Sequence, residues 1–147
     1  MKSKHRNIKY IEWRSPEELH EDTIEWLSDL DFVKVEQSFL EELIKENTIN
    51  LISGDTFTKS KEIVNKLSKN IKKVEELHDK VQAHSNGLEI LVDEVKEEKK
   101  EERFKQEHHL LNAEISLFMI DFRDIKNEIF ELIKNIMKQN KQKRLLK

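Results

Sequence analysis

Cysteine is absent from this chain of 147 residues, which also holds only two glycines and one proline. Without cysteine there can be no disulfide, thiolate zinc site, cysteine nucleophile or iron–sulfur cluster. Two isolated glycines, Gly54 and Gly87, cannot form a glycine-rich phosphate loop. A sandwich or barrel needs frequent turn residues, and the chain has too few to supply them. Long apolar runs are missing as well: the longest, Leu117 to Ile120, has four residues. A membrane helix needs about 20. The opening residues MKSKHRNIKYIEW contain no apolar run of the kind a secretory leader requires. A cytoplasmic protein without membrane contact is the expectation.

What the chain does have is charge, 39% of its residues, and an abundance of Leu, Ile, Lys and Glu. That composition belongs either to long helices or to disorder. The order of the apolar residues decides for helices. Thr23, Trp26, Leu30, Val33, Gln37, Leu40, Ile44 and Leu51 recur at spacings near three and four. Two further series keep strict alternation of four and three: Ser60 to Val95 through Leu67, Val74, Val81 and Leu88, and Phe104 to Ile136 through His108, Ile115, Phe122 and Ile129. Sustained heptads mark left-handed helical seams, as in coiled coils and up-down bundles.

Local signals set the ends. Ser15-Pro16-Glu17-Glu18 is a capping box with proline in the first helical position, where its missing N–H does no harm. Ser53-Gly54-Asp55 stops the first pattern. The second and third series change phase between Val95 and Phe104. Ser85-Asn86-Gly87 looks like a turn, yet the heptad crosses it in step. These signals predict an all-α bundle of three long antiparallel helices, over about 16–52, 57–99 and 102–140, with Gly87 a local weakness. The alternative is a four-helix bundle with a break at Ser85–Gly87. The domain plan is a basic N-terminal arm over 1–15, a helical bundle over 16–140 and a basic C-terminal tail over 141–147.

Charge is unevenly spread. Residues 1–14 carry +4 and residues 134–147 carry +6, leaving −13 on the body between them. Basic ends suit an acidic partner. Nucleic acid is disfavoured, because the acidic body repels phosphate. Tyr10 and Trp13 could stack on bases, but Trp13 fits better as a hydrophobic staple ahead of the capping box.

Catalytic residues do not announce themselves. Serine–histidine–aspartate chemistry needs an activated serine on a turn, and turns are scarce. Glu17-Glu18-Leu19-His20 and Glu75-Glu76-Leu77-His78 each contain the Glu-x-x-His spacing of di-iron carboxylate bundles. Antiparallel register places these two strings about 15 Å apart along the helices, too far to share a metal. The same register gathers His20, His84 and His108 towards one end. Three imidazoles there, with Glu21 or Glu114, would form a site for iron, zinc or manganese with redox or hydrolytic potential. Surplus apolar residues beside the seams, Phe32, Phe39, Leu43, Leu117 and Ile120 among them, predict a self-association face and a dimer. The sequence therefore favours a non-enzymatic helical interaction or assembly protein, with a His/carboxylate metal-binding bundle as the alternative.

Overall fold

A computed structural model of the chain describes residues 14–52, 55–93 and 97–146. Tyr10, Trp13 and most of the basic arm lie outside the described residues. The described residues form an all-α bundle of four helices: α1 (Pro16–Glu46), α2 (Thr48–Leu51), α3 (Thr56–Asp93) and α4 (Glu98–Leu145). None of these helices is long and apolar enough to cross a membrane.

The expectation of three long antiparallel helices is thereby corrected, and the physical reason sits at Asn47. The first helix was expected to continue to about 52. Instead α1 ends at Glu46, Asn47 leaves helical geometry at φ −106° and ψ 12°, and α2 follows as a separate turn. Side chains capture the carbonyls that would continue the ladder. Asn47 Nδ2 donates to Leu43 O at 2.8 Å, and the Thr48 hydroxyl to Lys45 O at 2.8 Å. Short polar side chains compete with the helix in this way.

The fourth helix thus does not come from a break at Ser85–Gly87. Here α3 is continuous, with Ser85 buried and Gln82 bonded to Asn86 along the helix at 2.9 Å. Gly87 is no weakness but a close-approach site. A Cβ there would lie 2.6 Å from the Phe104 ring, so only glycine lets the ring rest against the α3 backbone. At the start of α1 the capping box forms in both directions: Glu18 N donates to Ser15 Oγ at 3.3 Å and Ser15 N to Glu18 Oε1 at 3.2 Å. The hydrogen bonds from Ser15, backbone first, hold the Glu18 carboxyl below its usual range.

The helices divide into two compact units, each discontinuous in sequence. The first comprises residues up to Phe32 together with Val74–Met119; the second comprises Val33–Lys73 and the residues from Ile120 on. In the first unit α1 and α3 run antiparallel, since Thr23 meets Ser85 at 2.8 Å while Asp31 meets His78 at 3.0 Å. Likewise α4 is antiparallel to α3: His84 faces His108 and Lys80 faces Glu114. Leu19, Leu88 and Leu91 form a buried cluster with Phe104 against it. In the second unit Gln37 Nε2 donates to Asn70 Oδ1 at 2.8 Å inside the core, and Lys126 pairs with Glu36 at 2.7 Å. Seam residues such as Leu40, Leu67, Phe122, Ile129 and Ile136 are buried around these contacts. Thr23 and Gln37, the polar exceptions in the first seam, are therefore each matched by a polar partner on α3.

Candidate functional site

The first unit holds an unusual concentration of buried polar groups. Two imidazoles, His84 on α3 and His108 on α4, are 2% and 0% exposed. His84 Nε2 lies 3.0 Å from His108 Nδ1, and His108 Nε2 lies 3.1 Å from Asp22 Oδ2. Asp22 also accepts from the Arg14 guanidinium, which reaches on to Glu18 O at 3.0 Å. Trp26 stacks on His108 with ring centroids 4.4 Å apart, and Phe104 tilts against His84 at 5.7 Å.

The neighbours fix the protons. A carboxylate only accepts, so His108 carries its hydrogen on Nε2 and donates to Asp22. Its Nδ1 is then an acceptor, and His84 must donate from Nε2. Both rings are consistent with the neutral form. Burial, with the adjacent His108, pushes the His84 pKa down to about 4. Burial likewise lowers that of His108, against the opposing pull of Asp22. For Asp22 burial acts upward, but the hydrogen bonds from His108 and Arg14 prevail and its carboxyl sits below the usual value. The result is one directed chain of hydrogen bonds, His84 to His108 to Asp22, closed by Arg14.

The outer end of this chain is incomplete. His84 Nδ1 is buried and without a hydrogen-bond partner. Glu107 Oε2 stands 3.5 Å away, beyond good hydrogen-bond distance. Phe104 also lines a cleft of about 160 Å³ with Gly87, Ile90, Leu91 and Lys100. That is room for a few waters, well short of the roughly 300–1,000 Å³ typical of a small-molecule site.

Of the three histidines expected to converge, the structure brings His84 and His108 into contact. His20 is half-buried on α1, and its backbone carbonyl accepts from Thr23 Oγ1 at 2.6 Å. Its place beside His108 is taken by Asp22. Glu114 pairs with Lys80 at 3.3 Å. Among the described residues no group of three or more His, Asp or Glu side chains is disposed to hold a metal ion. Arg14, Asp22 and Trp26 were not foreseen as members of the site. Arg14 reads in sequence as one more cation of a solvated arm, yet it is only 8% exposed. A signal for it existed in the spacing of eight residues to Asp22, two helical turns, but that signal is not specific.

The expected association residues fall in both units. Phe32 and Leu117 of the first are exposed; in the second, Phe39 and Ile120 are exposed and Leu43 is half-buried. The second unit also leaves Val35, Phe130 and Met137 exposed. Phe130, Ile133 and Met137 line a groove of about 640 Å³ with Lys134, Lys138, Asn140, Lys141 and Arg144. Comparison of the chain with protein-family models, with curated proteins and with solved structures finds no match, so the reading of these sites rests on their own chemistry.

Proposed function

We propose that the protein is a helical interaction module that works by self-association. One observation carries this reading: Val35, Phe39, Phe130 and Met137 of the second unit stand 65%, 59%, 44% and 65% exposed. Burying a large apolar side chain is worth roughly 1.5–3 kcal/mol, so a handful of such residues can hold two chains together. The polar network of the first unit serves this role as a support. It is buried and nearly fully paired, which favours one helix register over its neighbours. Sedimentation equilibrium of the native protein should show the mass rising from one chain to two across the micromolar range. Phe39→Glu should remain monomeric, with the urea midpoint of the native chain at concentrations dilute enough to keep that chain monomeric too, because the side chain is largely in water. A native protein that stays monomeric at high concentration would defeat the proposal.

A second reading, a metal-binding bundle with redox or hydrolytic chemistry, is favoured by the free lone pair of His84 Nδ1 beside Glu107. On that reading, untagged protein carries a stoichiometric equivalent of iron, zinc or manganese, and His84→Ala loses it while keeping its helicity. Metal-free protein that neither binds added zinc nor melts higher in its presence would dispose of it.

A further inference from the structure

The second unit carries two uncovered faces of opposite sign. On α1, Val35, Phe39, Glu42 and Glu46 follow at spacings of four, three and four, so they form one stripe. All four are exposed. Between Val35 and Glu46 this helix has four acids and a single cation, Lys45. On α4 the groove is lined by the apolar Phe130, Ile133 and Met137 together with the cations Lys134, Lys138, Lys141 and Arg144. No acidic residue follows Glu131 in the sequence, so nothing within this end of the helix offsets those cations.

We infer that these faces are the two halves of one contact, the α4 groove of each copy receiving the α1 stripe of a second copy. This rests on the self-association proposed above and specifies how it is made. Charge decides the pairing. Stripe against stripe sets glutamates on glutamates, and groove against groove sets lysines on lysines, each unfavourable. Stripe in groove sets Phe39 and Val35 among Phe130, Ile133 and Met137 and brings Glu42 and Glu46 to the basic rim. An amphipathic helix laid in an apolar groove with charged edges is a recurrent mode of recognition. Because every copy bears both halves, two such contacts close a two-fold dimer.

The test is a charge exchange followed by sedimentation equilibrium. Lys138→Glu/Arg144→Glu reverses the groove, and Glu42→Lys/Glu46→Lys reverses the stripe. Each variant alone should associate at least about tenfold more weakly than the native chain. An equimolar mixture should recover native-like affinity, since the acidic groove then meets a basic stripe while the native groove meets a native stripe. Salt gives an independent reading on the unmodified protein, whose dimer should weaken at least about tenfold between ~0.05 M and ~0.5 M salt. Variants that dimerise like the native protein, or a mixture no tighter than its components, would overturn the stripe-in-groove contact while leaving self-association standing. A salt-insensitive dimer would overturn it equally. A native chain monomeric throughout would end both proposals and leave the groove to a different partner.

Discussion

Replacing Asp22 with alanine is expected to lower the free energy of unfolding by about 3–5 kcal/mol, the usual result of removing one member of a buried ion pair. The magnitude follows from what stays behind. Arg14 cannot lose its proton, and at 8% exposure it has little water to turn to. His108, fully buried, would lose the acceptor for its Nε2–H. Asp22→Asn should fall between the native protein and alanine, because an amide oxygen still accepts from His108 while the guanidinium charge goes unmatched. Apolar replacement of Arg14, Asp22, His84 and His108 together should be milder than the single change, since neither a charge nor a ring N–H is then stranded. Urea denaturation of the four proteins settles the matter. A loss below about 1 kcal/mol for Asp22→Ala would place the pair among ordinary surface contacts.

Acid should destabilise the protein well before its carboxylates protonate. The His84 pKa is about 4 in the folded protein and about 6.5 when unfolded. Between these values the unfolded chain binds more protons than the folded one, so stability rises with pH through this window and levels off above about 7. At 2% exposure His84 alone accounts for about 3 kcal/mol across the window. His108 is shifted in the same direction and adds to the loss. Asp22 acts lower still: its depressed carboxyl supports the fold until the pH falls below the usual carboxylate range. Urea midpoints measured from pH 4 to 8 should trace this curve. His84→Gln, which keeps a donor for His108 but cannot titrate, should flatten it. A native profile level from pH 4.5 to 7.5 would contradict the neutral, buried assignment of both rings.

Much of the scaffold was legible because heptads report burial directly. Leu30, Val33, Leu40, Leu67, Val74, Val81 and Leu88 all lie in the core where their spacing placed them, as does the α4 series from His108 to Ile136. Antiparallel register alone was enough to bring His84 near His108. What periodicity could not read were side chains acting against the backbone or across it. Asn47 and Thr48 interrupt α1 through their own hydrogen bonds, which leave no trace in an apolar count. Gly87 reads as a local weakness because its reason, the Phe104 ring, lies on another helix. Val64, four residues after Ser60 in the second series, holds a seam position by spacing but is exposed, with Ile63 buried in its stead, because a heptad fixes a stripe only to within one residue. The carboxylate at the centre of the site was invisible for a related cause. Asp22 stands beside the seam, where acids ordinarily face water, and only the approach of His108 and Arg14 makes it an interior residue.

The order in which the chain is made bears on how this centre assembles. Both compact units join stretches far apart in sequence, and the first is not complete until residues near 119 are available. Asp22 and His108 are separated by 86 positions. At a synthesis rate of roughly 5–20 residues per second, the ribosome needs about 4–17 seconds to deliver the histidine after the aspartate has left. Until α3 emerges in its turn, the nascent α1 has its apolar seam uncovered. Arg14, only eight positions from Asp22, is already on hand to neutralise the carboxylate and steady the first turns. The arginine–aspartate clasp is thus the local half of the centre, with both partners present as soon as the start of α1 is made, and the imidazoles are the late arrivals that close over it.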